Sequence, residues 1–168
     1  MTQPATTASL TGDELETWAG LATVLEWLPA ALDAPLERDF GLTHFEYGIL
    51  YALANAPDHA LRMTVLAGYA NSSLSRLSRA ATRLEARALL ERSRDPDDGR
   101  STRAALTAAG LEAYAAATPG HVATVTRLVL DPLTAAQKRQ LREITRRLQG
   151  AIRTDGAWQP PPSPVREA

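Results

Sequence analysis

Four arginines recur at intervals of three or four residues in the middle of the sequence: Arg76, Arg79, Arg83 and Arg87. Successive residues of an α-helix are rotated by about 100°, so this spacing places the four guanidinium groups on one stripe, with Leu77 and other apolar residues opposite. Guanidinium groups bind phosphate and guanine bidentately. The stripe therefore favours a face that binds a polyanion, although an ordinary solvated helix face shows the same pattern.

The residues just before the arginine stripe are typical of a turn that leads into a helix. Ser73 is a natural N-cap, and two neighbouring serines add small hydrogen-bonding groups at the same end. Asn71 tolerates the left-handed backbone of a tight turn, and the pattern predicts a short helix over residues 64–70. A short helix, a tight turn and an amphipathic helix over residues 73–89 together predict a helix-turn-helix, whose second helix meets base edges and phosphates with its amino end.

A hairpin is predicted directly after this helix. Residues 89–94 and 102–106 flank the run Asp-Pro-Asp-Asp-Gly, which is rich in turn-forming residues. A β-hairpin that follows a recognition helix is a wing, and this one would carry Arg100 at its tip, where arginine suits a narrow minor groove. The Asp98 carboxylate is expected to orient Arg100 or Arg103 through a bidentate pair.

Capping boxes indicate where three helices begin. In each box a threonine is followed three residues later by Glu or Gln, and each side chain accepts from the other residue's backbone N–H. The pairs are Thr11 with Glu14, Thr43 with Glu46, and Thr134 with Gln137. Two prolines, Pro29 and Pro35, are expected to kink or split the first helix, since proline removes a backbone donor. Further helices are predicted after Thr107, with a bend at Pro119, and over residues 135–153.

These elements define the expected fold class. It is mainly α with a short β-hairpin wing, and a winged helix-turn-helix lobe is joined to a helical dimerisation region. The apolar stripes of the first helix and of the last two helices exceed what one small three-helix core can cover. A second copy of the chain is the simplest partner for them.

Composition excludes several classes of chemistry. The chain has 168 residues, a formal net charge of -1 and no cysteine, which excludes disulfides, thiolate metal sites and cysteine nucleophiles. Its three histidines, His44, His59 and His121, lack a metal-binding spacing, so neither a metal nor another cofactor is expected. The sequence has no phosphate-binding Gly loop, nucleophile elbow or HExxH motif. We therefore do not expect an enzyme.

Charge is segregated along the chain. Residues 12–71 hold nine acidic residues against two arginines, whereas residues 72–103 hold eight arginines against five acidic residues. This asymmetry predicts a protein that presents one face to a polyanion. The first eleven residues lack the features of a secretory signal, and no stretch is apolar over ~20 residues, so we expect a cytoplasmic protein with no membrane partner.

Residues 98–110 carry the most specific pattern in the sequence. They read Asp-Gly-Arg-Ser-Thr-Arg-Ala-Ala-Leu-Thr-Ala-Ala-Gly and resemble the wing motif of the MarR (multiple antibiotic resistance regulator) family of bacterial winged-helix transcription factors, Asp-x-Arg followed by Leu-Thr-x-x-Gly. Residues 74–87 are similar to the family's recognition helix, and the similarity extends over residues 15–153. Ala88 departs from it, standing where the family usually has Gly, as does Ala104, standing where a β-branched residue usually supports the wing.

The resemblance implies a homodimer that binds a pseudo-palindromic operator in double-stranded DNA. It also implies regulation of transcription, as a repressor that a small ligand, commonly aromatic or phenolic, releases. The chain is accordingly divided into an N-terminal disordered tail, an N-terminal dimerisation helix, a winged helix-turn-helix lobe, C-terminal dimerisation helices and a Pro-rich disordered tail. The corresponding ranges are 1–11, 12–42, 43–110, 111–154 and 155–168.

The resemblance also assigns roles to individual side chains. It places Ser73, Ser75, Arg76, Arg79 and Arg83 of the recognition helix in the major groove, and Arg100 of the wing in the minor groove. The neighbouring polar residues of the wing, Arg94, Asp98 and Arg103, are also expected to belong to the DNA-binding site. Residues of the first two helices are expected to line a ligand crevice: Trp18, Trp27, His44, Tyr47 and Tyr51. An aromatic cluster of this kind is also what a hydrophobic core contains, so the residues alone leave both interpretations open.

The alternative hypothesis is an adaptor of the same fold. In it the winged helix binds a partner protein instead of DNA, and the arginines face acidic groups of that partner. Preference for a palindromic duplex would exclude the adaptor.

Overall fold

A computed structural model describes residues 9–96 and 98–152. The helices are α1 (Gly12–Phe40), α2 (His44–Ala54), α3 (Met63–Tyr69), α4 (Leu74–Ala86), α5 (Ala108–Val125) and α6 (Ala135–Ile152). The strands are β1 (Ala60–Arg62), β2 (Leu90–Arg94) and β3 (Thr102–Leu106), and a π-helical turn (Thr126–Leu130) continues α5. The predicted Pro-rich tail lies outside the described residues, as do residues 1–8.

The long helix α1 excludes one of the two alternatives predicted for its prolines, the split. Both of its prolines lie inside a single helix of 29 residues, which is not split. Each proline removes only one donor from a long ladder of backbone hydrogen bonds, and the second half of the helix is held by Leu32 and Leu36, which are buried where α1 packs on α5. The helix ends at Gly41 in a left-handed conformation, with φ 61°.

Two of the three predicted capping boxes form. Thr43 and Glu46 exchange both hydrogen bonds at the start of α2, with lengths of 3.0 and 3.1 Å, and the Thr134 and Gln137 pair does the same before α6. Thr11 makes no side-chain cap bond, and only its carbonyl accepts from the Glu14 N–H. The capping box predicted for α1 is therefore wrong, although the helix begins where expected.

Helices α3 and α4 form the predicted helix-turn-helix. Asn71 in the turn is left-handed, with φ 43°, and the Ser72 N–H donates to the Ala67 carbonyl, which closes the end of α3. Ser73 then caps α4 by accepting from the Arg76 N–H. The buried side of α4 consists of small and aliphatic residues, namely Leu77, Ala80, Ala81 and Leu84. Leu74, expected on that side, is 51% exposed.

The wing strands belong to an antiparallel sheet of three strands in the order β1-β3-β2. Strand β1 was not predicted, because three residues after a turn give too short a pattern to recognise. Ala104 is completely buried at the centre of β3, opposite Leu61 of β1 and Arg92 of β2. The small residue at this departure from the family pattern therefore lies in the core cluster.

The described residues thus form a lobe with a continuous hydrophobic core, and helices outside that lobe whose side chains are mostly exposed. The core is formed by α2, α3, α4, the sheet and the packed parts of α1 and α5. Helix α5 runs through Pro119 without interruption, and α6 has no buried residue. This architecture confirms the fold class predicted above. None of the helices between residues 9 and 152 has both the length and the apolar character needed to cross a bilayer.

Candidate nucleic-acid interface

The face of α4 opposite the core is polar and short-chained except for one arginine. At about 100° per residue, Ser75, Arg79 and Thr82 are centred on this face, and all three are exposed. The side chains of Ser73 and Ser75 share a hydrogen bond of 3.1 Å at the amino end of the helix. Such an end offers hydroxyl groups and N–H groups to base edges and phosphates.

The other arginines of the stripe are held by neighbouring elements. The Arg87 guanidinium donates to the carbonyls of Gly41 and Phe40 at 2.7 and 2.9 Å. The Arg83 Nε donates to Glu46 Oε1 at 2.7 Å. The Arg76 guanidinium lies 4.3 Å from the centre of the Phe45 ring, in a cation–π contact. Periodicity alone could not reveal that the four arginines differ in this way.

A groove of about 510 Å³ runs between the arginine side of α4 and the junction of α1 with α2. Its walls include Arg76, Arg79 and Arg83 on one side and Pro29 and Asp33 on the other. Three guanidinium groups within one groove form a concentrated positive surface, which favours an anionic partner.

The wing contains an ion pair that the sequence interpretation missed. Arg62 of β1 binds the Asp95 carboxylate through two hydrogen bonds of 2.7 and 3.2 Å, and the Asp95 side chain is only 5% exposed. The Asp95 N–H also donates to the Ser101 carbonyl. The sequence pattern indicates only a turn residue at Asp95, because its partner Arg62 lies in the unpredicted strand β1.

The role expected for Asp98 needs a correction. Its carboxylate accepts from the Ser101 hydroxyl at 2.7 Å and from the backbone N–H of Arg100 at 3.1 Å. These bonds, the Ser101 hydroxyl first, lower the pKa of Asp98 below its usual value. Asp98 therefore orders the turn through the backbone, instead of orienting a guanidinium as predicted. The bidentate pair of the wing is formed by Arg62 and Asp95.

Arg92 fixes the wing to α4. Its guanidinium donates to Glu85 at 2.6 Å, to Thr82 at 3.1 Å and to Ser78 at 3.3 Å. This bond set holds β2 along one side of the recognition helix. Sequence reasoning did not single out Arg92, because alternation along a strand does not reveal its partners.

The remaining arginines of the wing, Arg94, Arg100 and Arg103, differ in solvent exposure. Arg94 and Arg100 are exposed, at the end of β2 and beside the tip of the hairpin. Arg103 lies on the central strand, with one guanidinium nitrogen 3.8 Å from Asp58. Together with α4, these residues form two positive surfaces on the same lobe.

A second cavity lies on the other side of α2. It has a volume of about 500 Å³ and is lined by α2, α3, α5 and the π-helical turn. Its polar walls are built from four tyrosines, two histidines and two threonines: Tyr47, Tyr51, Tyr69, Tyr114, His44, His121, Thr118 and Thr126. Three of the residues expected to line a ligand crevice therefore meet here. Trp18 and Trp27 do not, because they lie on α1 and are 52% and 74% exposed.

The two histidines of this cavity are stacked. Their ring centroids are 5.2 Å apart, and the Tyr47 ring lies 4.3 Å from that of His121. The Nδ1 atoms of both rings are buried and have no hydrogen-bond partner among the described residues. Burial lowers the pKa of His44 and of His121. Burial thus favours the neutral form of both rings.

The direction of one hydroxyl hydrogen bond in the cavity, between Tyr47 and Thr118, can be assigned. Thr118 Oγ1 donates to the Tyr114 carbonyl at 2.7 Å, so its single proton is used and the contact of 3.1 Å with Tyr47 has Tyr47 as the donor. Burial raises the pKa of Tyr47, which keeps the hydroxyl protonated. Neutral imidazoles, tyrosine hydroxyls and apolar walls suit an aromatic ligand with a few polar groups.

Comparison with known proteins identifies the class of molecule. A model of the MarR family matches residues 40–101. The chain is similar to Sco3205, a MarR family transcriptional regulator from Streptomyces coelicolor whose crystal structure contains DNA. The sequence identity is 38%, the TM-score is 0.84, and the similarity covers 94% of this chain and 98% of that chain. No curated protein matches the sequence.

Two further crystal structures agree with this result. AbsC, a MarR family transcriptional regulator from Streptomyces coelicolor, is 34% identical with a TM-score of 0.78, covering 86% of this chain and 99% of that chain. PcaV, a transcriptional regulator from the same organism solved with its natural ligand, is 26% identical with a TM-score of 0.69, covering 86% and 100%. The chain belongs to the MarR family of transcriptional regulators, which confirms the resemblance found in the sequence.

Proposed function

We propose that the protein is a homodimeric repressor in the cytoplasm, that it binds a pseudo-palindromic operator, and that a small aromatic ligand releases it. The observation that carries the DNA-binding part is the exposed polar face of α4, flanked by the three arginines of the groove and by the wing. Sco3205, solved in complex with DNA, supports DNA as the partner.

The proposed DNA contacts come from two parts of the lobe. The amino end and exposed side of α4 enter the major groove with Ser73, Ser75, Arg76, Arg79 and Arg83. The wing contributes Arg94, Arg100 and Arg103, with Arg100 directed to the minor groove, while Asp98 acts indirectly by ordering the turn that carries Arg100. Phosphate contacts would position the lobe and base contacts would select the sequence.

The proposed dimer uses the apolar surface that the lobe leaves uncovered. Large apolar side chains are exposed on both ends of the chain, namely Leu15, Trp18, Leu25 and Trp27 on α1 and Ile144, Leu148 and Ile152 on α6. Monomeric proteins rarely leave whole apolar helix stripes exposed. We therefore assign residues 12–42 and 111–154 to dimerisation and residues 43–110 to DNA binding. Two lobes related by a twofold axis would read half-sites about 34 Å apart.

The proposed ligand site is the cavity between α2 and α5. It contains His44, Tyr47 and Tyr51, whose neutral rings and hydroxyl groups can orient a phenolic or aromatic ligand. PcaV, a similar transcriptional regulator solved in complex with its natural ligand, supports a ligand site in this fold. In this proposal Trp18 and Trp27 belong to the dimer surface instead of the cavity wall.

The experiment that tests the DNA-binding proposal is a selection of bound duplexes from random DNA, repeated at two salt concentrations. We expect a palindrome with half-sites one helical turn apart and an affinity that falls steeply with salt. Weak binding without sequence preference would contradict the proposal and favour the protein-binding adaptor. The selected palindrome then serves as the operator probe in the experiments below.

A further inference from the structure

Glu46 is a buried carboxylate that bonds to two different elements. Its side chain is 6% exposed. One oxygen accepts from the Thr43 N–H at the start of α2, at 3.0 Å, and the other accepts from Arg83 Nε on α4, at 2.7 Å. A glutamine would satisfy the first bond equally well, because capping boxes use either residue. The second bond needs the second carboxylate oxygen, because the other terminal group of a glutamine is an amide NH2, which cannot accept a hydrogen bond from Arg83 Nε.

The geometry of this pair leaves part of Arg83 available. Glu46 engages Nε, and the two terminal nitrogens of the guanidinium have no hydrogen-bond partner among residues 9–96 and 98–152. The Arg83 side chain is 58% exposed and lines the groove beside α4. A guanidinium held through Nε can still bind a phosphate oxygen with its terminal nitrogens, in the fork geometry that arginine provides.

Because Glu46 already fixes the Arg83 side chain, Arg83 loses less conformational entropy when it binds. An unrestrained arginine loses rotamer freedom when it binds, whereas one already fixed in a productive position loses less, which raises affinity without adding a contact. Phe45, on the same turn of α2, packs against Arg76 in a similar way. The first turn of α2 therefore holds two of the arginines that face the groove.

We infer that Glu46 is a positioning residue for DNA binding, which presents the terminal nitrogens of Arg83 to a backbone phosphate. The inference rests on the proposed function, because it requires that α4 bind DNA. It assigns Arg83 to phosphate contact instead of base contact. It also gives Glu46, a buried acidic residue beside the positive groove, a favourable role in binding a polyanion.

The inference is testable because net charge alone and the positioning role predict opposite changes in operator affinity when Glu46 is substituted. Glu46→Gln removes one negative charge beside the groove, and that change alone would strengthen the attraction for DNA. If Glu46 positions Arg83, the same substitution weakens operator binding, because Arg83 is released from its orientation while the helix cap is kept.

The experiment is a double-mutant cycle on operator affinity with Glu46→Gln, Arg83→Ala and the double variant. We expect Arg83→Ala to weaken binding to operator and unrelated duplexes alike and to reduce the salt slope by about 1. We expect Glu46→Gln to weaken operator binding by a factor of about three to ten in the parent protein, and by less than about twofold once Arg83 is absent. Thermal unfolding of each variant is measured alongside, so that a loss of fold is not taken for a loss of positioning.

The matched control is Glu143→Gln on α6. Glu143 also pairs with arginines, Arg146 and Arg147, so this variant changes the net charge by the same amount and frees guanidinium groups on a helix that does not line the groove. At about 100° per residue, Glu143 lies on the side of α6 opposite the apolar stripe assigned to the dimer. We expect it to leave operator affinity within about twofold of the parent, because exposed ion pairs contribute little.

Each outcome has a distinct meaning. Tighter or unchanged operator binding by Glu46→Gln overturns the inference, as does an equal weakening with and without Arg83, which would show a merely structural role. If the parent protein selects no duplex, the proposed function fails and the inference fails with it. If the parent selects a palindrome and the cycle shows no coupling, the inference alone fails.

Discussion

The imidazole rings of His44 and His121 stack at a centroid distance of 5.2 Å, and a buried nitrogen of each has no hydrogen-bond partner among the described residues. The pair joins the start of α2 to the middle of α5. Groups that face it come from several elements: Asp33 of α1, Tyr47 and Tyr51 of α2, Tyr69 of α3, Tyr114 of α5 and the groove arginines of α4. Asp33 attracts a proton on His44, but desolvation is the larger effect and lowers the pKa.

Stability is expected to fall in acid because of this pair. The pKa of each histidine is lowered in the folded state, mainly by burial, whereas the unfolded value is about 6.5. The unfolded chain therefore binds more protons below that pH, so the contribution of the pair is complete above pH ~6.5 and is lost as the pH falls through the lower folded pKa values. The free energy of unfolding, measured in urea from pH 7.5 to pH 5, should decrease.

Substitution of the histidines checks the assignment. His121→Gln should flatten the pH dependence, whereas His59→Gln should keep it, because His59 is exposed and lies outside the cavity. Identical slopes for His121→Gln and the parent protein would show that another group titrates.

Gly110 is expected to tolerate no side chain. A Cβ at this position would lie 1.8 Å from the Leu89 carbonyl oxygen and 2.8 Å from a Leu106 methyl group. The Gly110 N–H is also capped by Thr107, so the backbone is fixed where α5 leaves the wing. Gly110→Ala should destabilise the protein by roughly 1–3 kcal/mol or more. The matched variant Gly68→Ala, whose Cβ would meet nothing within 4 Å, should retain the parent's midpoint in thermal unfolding or exceed it.

Ala88 is expected to be a site of strain that glycine relieves. It has a φ of 54° and occupies the left-handed position after α4, where the Ala88 and Leu89 N–H groups donate to Glu85 and Leu84. Left-handed backbone is unfavourable for alanine and favourable for glycine. Ala88→Gly should therefore raise the free energy of unfolding by roughly 0.5–1 kcal/mol.

The same exchange inside the helix serves as a comparison. Ala86 is the last residue of α4, and Ala86→Gly should lower the free energy of unfolding, since glycine costs conformational entropy in a helix. If both variants were destabilised in denaturant titrations, the strain at position 88 would be refuted.

Arg100 is expected to contribute directly to operator binding. It is exposed beside the tip of the wing, and its N–H is held by Asp98. Arg100→Ala should weaken operator binding by roughly 1–3 kcal/mol in a fluorescence titration and leave the oligomeric state unchanged. Arg139→Ala removes an exposed arginine from α6 with the same change of charge and should have little effect. Equal affinities of the Arg100→Ala variant and the parent would exclude the wing contact.

Local patterns were sufficient to predict most of the fold. Threonine followed by Glu or Gln marked α2 and α6, the alternation of arginine and aliphatic residues marked α4, and the Asp-Pro-Asp-Asp-Gly run marked the hairpin. Each of these signals is contained within a few neighbouring residues, and each reports a backbone preference. The split that the same logic allowed at Pro29 and Pro35 does not occur, because long-range packing on α5 holds α1 together.

The contacts that shape the candidate site could not be predicted in this way. Arg83 meets Glu46 across 37 positions, Arg62 meets Asp95 across 33, and Arg87 meets Gly41 across 46. Periodicity gives the face on which a residue lies and says nothing about which element covers that face. The stacking of the two histidines is equally invisible, since it depends on how α5 crosses α2.

The hydrogen bonds from Arg87 to the carbonyls of Phe40 and Gly41 connect the recognition helix directly to the end of α1. A helix of 29 residues is a rod about 43 Å long, and in the proposed dimer its far end lies at the interface while its near end is fastened to the recognition helix. A tilt of about 5° at the interface would displace the fastened end by about 4 Å, slightly more than the ~3.4 Å rise of one base pair. In that proposed dimer, the inclination of α1 would therefore set the distance between the two recognition helices.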